Sequence, residues 1–156
     1  MTRATGNARV SCTVILLDRA WSRSTPGAER IVRKAARATL AGARRTGRYS
    51  LNVALADDGL VRSLNARDRG KDKPTNVLSY RSGEKAFLGD IVLARQTVQC
   101  EARQQKKAPA DHLSHLVVHG ILHLLGYDHE TETDAARMEA LERRVLAKLG
   151  IADPYS

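Results

Sequence analysis

The pattern of hydrophobic and polar positions along the chain predicts four strands and about five helices. Apolar or alternating runs predict strands over residues 10–18, 51–56, 77–80 and 87–94. Apolar positions at helical spacing, with capping residues beside them, predict the helices. These are expected from Ser24-Thr25-Pro26 to about Arg45, around Leu60 and Leu64, from Gln96 to about Lys107, from Pro109 onward, and from Thr131 to Gly150. The elements together predict an α+β fold, with about five helices packed on one four-stranded sheet whose strand order the pattern does not fix.

The fourth predicted helix is apolar on nearly every side and is therefore expected to be buried. Its end carries the sequence HGILHLLGYDH at residues 119–129. His119 and His123 stand four positions apart and so share one helix face. Gly126 can adopt the left-handed conformation that ends a helix, which would turn His129 back toward them. Three neutral imidazoles suit one Zn²⁺ ion and leave a fourth position open for catalysis, so we predict a metal site at the end of this buried helix.

Two other features of the same helix leave alternatives open. His112 and His115 precede the motif, and positions 112, 115, 119 and 123 fall within about 80° of helical arc. His115 could therefore replace His129 as a ligand or support a ligand from behind. The spacing also resembles that of metzincin zinc peptidases, but these have Glu directly after the first His, where this chain has Gly120. The missing general base argues against peptide hydrolysis.

Length and composition indicate one domain. The chain has 156 residues, of which 42% are hydrophobic and 28% charged, as is usual for a soluble protein. No apolar run approaches the length of a membrane span, and the N-terminal segment is a poor signal peptide. Cys12 and Cys100 are the only cysteines, which favours reduced thiols, buried as small hydrophobic residues, in a cytoplasmic protein. We expect a single metal-dependent domain over residues 1–156.

The distribution of charge indicates a polyanionic partner. Residues 1–50 hold eleven Arg or Lys against Asp18 and Glu29, which accounts for the net charge of +9, whereas the remaining residues hold fifteen of each sign. Six basic residues form a stripe about 120° wide on the first long helix without acidic partners at i±4, which fits either nucleic-acid contact or a solvated face. They are Arg30, Arg33, Lys34, Arg37, Arg44 and Arg45. Aromatic residues make up only 4%, so we expect contact with phosphates instead of base stacking.

Three segments together resemble the YbeY family of bacterial endoribonucleases, which are rRNA maturation factors. They are RGKDKPTNVLS at residues 69–79, LGDI at residues 88–91, and the histidine motif at residues 119–129. The resemblance covers roughly residues 50–154. It implies a zinc-dependent single-strand endoribonuclease that acts in 16S rRNA 3′-end maturation and ribosome quality control. It also implies single-stranded RNA, the small ribosomal subunit and an Era-type GTPase as partners.

The same resemblance implies roles for individual residues. The metal ligands of the family fall on His119, His123 and His129. Its functional arginine, in the loop before the third strand, falls on Arg69, where a guanidinium can hold phosphate oxygens and stabilise transition-state charge. Judged without the family, Arg69 is better explained as an ordinary loop charge paired with Asp68 or Asp72.

The chain departs from the family pattern beside this arginine. The family usually has Phe-Pro and a longer, often acidic loop after the Leu-Ser of the third strand, whereas Tyr80, Arg81 and a short loop follow here. The general base also stays open. A metal-bound hydroxide or the RNA 2′-OH could attack, and Asp128 could orient an imidazole or only form a turn.

Two other classes of function remain at this point. One is a zinc hydrolase of another substrate, which the missing Glu argues against. The other is a ribosome-binding factor with a structural metal, although structural zinc normally has four protein ligands and the motif offers three.

Overall fold

A four-stranded mixed sheet with six helices forms the fold, in a computed structural model that describes residues 8–155. The strands are β1 (Ala8–Leu16), β2 (Gly47–Ala56), β3 (Val77–Arg81) and β4 (Phe87–Ala94). The helices are α1 (Trp21–Ser24), α2 (Ala28–Gly42), α3 (Asp58–Arg69), α4 (Arg95–Gln104), α5 (Pro109–Leu124) and α6 (Glu132–Lys148). The predicted α+β class and the four-stranded sheet are confirmed.

The strand order in the sheet is β1-β2-β4-β3. β1, β2 and β4 run parallel, and β3 pairs antiparallel with β4 at one edge. β4 lies inside the sheet and reads as a nearly continuous apolar run, as expected for a strand covered on both faces. β1 lies at the other edge, and alternate side chains along it are exposed.

Helices cover the two faces of the sheet unequally. Ile91 and Leu93 of β4 belong to the main core, together with buried side chains of α2, α5 and α6. Val92 alternates with them and belongs to a second, smaller core with Val61 of α3. Because successive side chains of a strand point to opposite faces, α3 lies on one face of the sheet, and α2, α5 and α6 lie on the opposite face.

Helix α5 is the central helix, as its apolar sequence predicts. It contacts α2, α4, α6, β3 and β4, and ten of its residues are buried. Pro109 stands at its first turn, where no N–H is needed within the helix. No helix in the described part of the chain is both long enough and apolar enough to cross a lipid bilayer.

The first long helix differs from its prediction in three respects. The prediction that the helix starts at Ser24-Thr25-Pro26 is wrong. Residues Trp21–Ser24 form the separate short helix α1, and the left-handed conformation of Gly27, at φ +76°, interrupts the helical path before α2 begins. The helix also ends at Gly42 and not near Arg45, because Arg44 adopts a left-handed φ of +56°. Finally, Glu29 pairs with Arg33 at 3.4 Å, so the basic stripe does have one acidic partner at i±4.

The two cysteines are free thiols in different environments. Cys12 is half-buried against the main core, and this burial raises the pKa of its thiol. Cys100 is exposed on α4. The prediction that both are buried is therefore wrong for Cys100, which lies on the outer side of an amphipathic helix.

Candidate metal centre and cationic cleft

The end of α5 turns the chain so that the three motif histidines meet. Gly126 has φ +105°, a conformation that favours glycine. The Tyr127 N–H donates to the carbonyl of Leu122 at 3.0 Å, and the Gly126 N–H donates to that of His123, also at 3.0 Å. This pair of bonds is a Schellman motif, which ends the helix and reverses the chain. The reversal brings His129 back beside the last turn of α5.

The three imidazoles form a group that could hold a metal ion. One ring nitrogen from each of His119, His123 and His129 lies within 4.8 Å of the others. Their ring centroids are 4.7, 4.9 and 5.1 Å apart. Burial, and then repulsion from the other two histidines, lowers the pKa of His123 to about 4. Its ring is therefore neutral at pH 7, which is the form that binds metals. The structure thus brings together the three residues that the sequence singles out.

The position after the first histidine lies in tight contact with the sheet. Gly120 lies where α5 crosses the sheet, and a Cβ there would stand 3.0 Å from Ile91 Cδ1 and 3.2 Å from Ser79 Oγ. Ser79 Oγ in turn lies 3.4 Å from the Gly120 carbonyl. Close packing of the helix on β3 and β4 therefore favours glycine here, and the residue at the place where zinc peptidases carry a general base has no side chain to act as one.

A buried carboxylate on α6 contacts the histidines from another side. Glu142 is fully buried, and its Oε2 accepts from His119 Nδ1 at 3.0 Å and from His115 Nε2 at 3.1 Å. Its Oε1 accepts from the Tyr155 hydroxyl at 2.6 Å. Burial alone would raise the pKa of Glu142, but these three hydrogen bonds hold it well below its usual range. Among the described residues, the group of three nitrogens does not include His115, which instead shares Glu142 with His119.

Sequence reasoning missed Glu142, although a signal was present. Met138, Leu141 and Val145 recur at helical spacing in the sequence of α6 and are buried, and Glu142 falls on that same buried face. A carboxylate within a buried stripe requires polar partners. The histidine-rich helix packed beside it supplies them.

A cationic cleft of about 760 Å³ opens beside the imidazoles. His119 and His123 line it, together with basic side chains from the end of α3, the segment that follows and the end of β3. These basic residues are Arg69, Lys71, Lys73 and Arg81. Thr75, Asn76 and Ser79 also line it, and the Asn76 amide is fixed by a hydrogen bond of 3.0 Å to Glu101.

Arg69 is the last residue of α3, not a loop residue, because Gly70 ends the helix at φ +67°. Its Nη2 donates to the Ser79 carbonyl at 2.9 Å, and its guanidinium lies 4.9 Å from the centre of the Tyr80 ring. The two acidic residues considered as its partners pair with other arginines. Asp68 pairs with Arg67 at 2.7 Å and Asp72 pairs with Arg62 at 2.9 Å.

Of the residues that depart from the family pattern, Arg81 lines this cleft and Tyr80 lies beside Arg69. Tyr80 donates its hydroxyl to Asp68 at 2.8 Å, and Arg81 Nη2 donates to the carbonyl of His123 at 2.9 Å. The Arg81 contact places a positive charge at the C-terminal end of α5, where the helix dipole favours it. Asp128 accepts from the Glu130 N–H at 3.2 Å, which is the turn-forming role.

Comparison with known proteins agrees with this geometry. The sequence model of one family, described as endoribonuclease YbeY, matches residues 18–150. A protein named endoribonuclease YbeY from Paramagnetospirillum magneticum is 51% identical over 147 residues, which cover 87% of this chain and 90% of that protein. The protein of the same name from Azorhizobium caulinodans is 48% identical over 151 residues, covering 92% and 94%. A solution structure from Thermotoga maritima, at 25% identity, superposes with a TM-score of 0.59 over 94% of this chain and 99% of that one. This chain therefore belongs to the endoribonuclease YbeY family.

Proposed function

We propose that this protein is a zinc-dependent single-strand endoribonuclease that acts in 16S rRNA 3′-end maturation and ribosome quality control, with residues 1–156 working as one domain. The observation that carries the proposal is the group of three imidazole nitrogens within 4.8 Å of one another at the side of a cationic cleft. Membership of an endoribonuclease family gives the substrate class.

His119, His123 and His129 are the proposed metal ligands. A set of three imidazoles suits one zinc ion and leaves a coordination position for water or substrate. A bound zinc ion would either polarise a phosphoryl oxygen as a Lewis acid or provide a hydroxide ion from water at neutral pH. The low pKa of His123 means that this ring gives up no proton when it binds a metal at pH 7.

Arg69 is the proposed catalytic arginine. A guanidinium has five N–H donors in a planar fork that matches phosphate oxygens. Arg69 Nη2 donates to the Ser79 carbonyl, and the guanidinium lies over the Tyr80 ring at 4.9 Å from its centre, so both contacts hold the group in place. The other donors can stabilise charge that develops on a phosphate in the cleft.

The remaining basic residues are proposed to bind the RNA backbone. Lys71, Lys73 and Arg81 line the cleft and give it a positive potential that attracts a polyanion. The exposed Arg30, Lys34 and Arg37 of α2 form a separate basic surface that could also contact a polyanion. Contacts with phosphates of this kind carry no base preference and weaken with added salt.

Partners and location follow from the family resemblance. The protein is proposed to act in the cytoplasm on the small ribosomal subunit, together with an Era-type GTPase.

The experiment that tests this function compares cleavage of a single-stranded RNA and of total rRNA by four preparations. They are the wild type, chelator-treated wild type, His123→Ala, and a control variant His112→Gln, which changes a histidine of the same helix outside the group of three. Metal content and folding are measured in each. Cutting by the metal-loaded wild type and by His112→Gln alone, with all four folded, supports the proposal. Equal cutting by all four would mean that the activity lies elsewhere.

A further inference from the structure

Glu142 contacts the histidines on a side that does not line the cleft. It is fully buried, and its Oε2 accepts hydrogen bonds from two imidazoles of α5, from His119 Nδ1 at 3.0 Å and from His115 Nε2 at 3.1 Å. A buried charge is expensive unless all its partners are in place. Here the second oxygen is also occupied, by the Tyr155 hydroxyl near the C-terminus.

This arrangement determines which nitrogens carry protons. A carboxylate oxygen only accepts hydrogen bonds, so both nitrogens facing Oε2 must be N–H donors. His119 is therefore protonated on Nδ1, and the lone pair of its Nε2 is free. His115 carries its proton on Nε2, and its buried Nδ1, which has no hydrogen-bond partner among the described residues, is the unprotonated nitrogen.

We propose that Glu142 is a positioning residue of the metal centre, which fixes the tautomer and ring orientation of His119 so that Nε2 faces the other two imidazoles. The inference rests on the proposed function, because it takes His119 as a metal ligand. Carboxylates that receive the second N–H of a ligand histidine raise its basicity and hold its ring, and their loss typically weakens metal binding about 10–100-fold.

The competing explanation is that the hydrogen bonds of Glu142 only hold α6 against α5. In that case, replacing Glu142 would change the stability of the fold but not the tautomer of His119 in a variant that still folds. The two explanations therefore differ in a property of the metal-free protein, which ¹⁵N NMR of the imidazole nitrogens reports directly.

The test uses two changes of Glu142 and one control on the same helix. Glu142→Gln keeps an oxygen acceptor for the imidazoles but removes the charge, whereas Glu142→Leu removes both. Glu139→Gln is the control, since Glu139 lies 3.9 Å from Arg143 and is partly exposed. Zn²⁺ affinity is measured by competition with a chromophoric chelator, and folding by circular dichroism.

We expect Zn²⁺ affinity to fall about tenfold in Glu142→Gln and about a hundredfold in Glu142→Leu, with Glu139→Gln unchanged. In metal-free wild type and Glu142→Gln, His119 should be protonated on Nδ1, and in Glu142→Leu this preference should be lost. Unchanged Zn²⁺ affinity in folded Glu142→Gln, or wild-type His119 protonated on Nε2, would overturn the inference. If the wild type bound no Zn²⁺, the proposed function would fail instead, and the tautomer measurement would still decide the role of Glu142.

Discussion

Replacing Gly120 with alanine tests whether α5 packs on the sheet as closely as the site geometry requires. The new Cβ would lie 3.0 Å from Ile91 Cδ1 and 3.2 Å from Ser79 Oγ. Ile91 is fully buried, so its side chain cannot move into solvent. Either its end shifts within the core or α5 moves away from β3 and β4.

Two opposing effects set the size of the change. Alanine in a helix interior is favoured over glycine by about 1 kcal/mol. Overpacking of a filled core costs about 1–3 kcal/mol. We therefore expect Gly120→Ala to lower the free energy of unfolding by about 0–2 kcal/mol. Gly59→Ala serves as a control, because the nearest atom to its Cβ, Asp57 Oδ1, is 3.5 Å away, and it should gain up to about 1 kcal/mol.

A double-mutant cycle isolates the contact. Ile91→Val removes Cδ1, the atom nearest the new Cβ, and alone should cost about 0.5–1.5 kcal/mol. In the Gly120→Ala background the same change should cost less, with a coupling of about 0.5 kcal/mol or more. Urea unfolding of the four metal-free proteins measures each term. A gain of about 1 kcal/mol for Gly120→Ala, additive with Ile91→Val, would refute the close packing and the reason given for the glycine.

Two further changes address the cleft and the fold. Arg69→Ala should lower RNA cleavage by about 10²–10³-fold without unfolding the protein. The control variant Arg67→Ala removes an exposed guanidinium paired with Asp68 and should cleave RNA at the wild-type rate. Equal rates for the two variants would show that Arg69 does not belong to the site. Asp18→Asn should cost about 0.5–1 kcal/mol at pH 7, since Arg95 lowers the pKa of this carboxyl. A lowered folded pKa gives its full stabilisation above the ordinary value near 4 and loses it as the pH falls further, through the lowered pKa. Wild type and Asp18→Asn should therefore converge in stability as the pH falls through this range, and a constant difference would contradict this.

Local signals predicted much of the fold, and long-range packing decided the rest. The bounds of β4 match the apolar run at residues 87–94, and Thr131 caps α6 by accepting from Asp134. The strand order depends on pairing between distant segments, which a period of two residues does not encode. The break before α2 was missed because Ser24-Thr25-Pro26 has the composition of a helix start, although Gly27 adopts the left-handed conformation that interrupts the chain.

The candidate site divides in the same way. The three histidines are predictable because they lie within eleven residues. Helical spacing puts His119 and His123 on one face, and the glycine that ends the helix turns His129 back toward them. Glu142 joins His119 across 23 positions of sequence, and only the packing of α6 on α5 brings the two together. The charge, glycine and proline of the segment after Arg69 predict a loop there, whereas α3 continues to that residue.

The arrangement of carboxylates also bears on how the nucleophile loses its proton. Gly120 stands where a carboxylate would follow His119, and Glu142 is fully buried with both oxygens in hydrogen bonds. None of the described residues that line the cleft is Asp or Glu. Asp128 is the carboxylate next to His129 in sequence, but it accepts from the backbone of the following turn.

A protein carboxylate is therefore not expected to act as the general base, and Asp128→Asn, whose amide oxygen can accept the same turn hydrogen bond, should keep most of the cleavage activity. Attack by the RNA 2′-OH would leave a 2′,3′-cyclic phosphate, whereas attack by water would not, so analysis of the product ends distinguishes the two routes. A loss of 10² or more for Asp128→Asn, with metal content and folding unchanged, would identify Asp128 as the base after all. In that case the proton would go to Oδ2, the oxygen that the turn hydrogen bond to Oδ1 does not use.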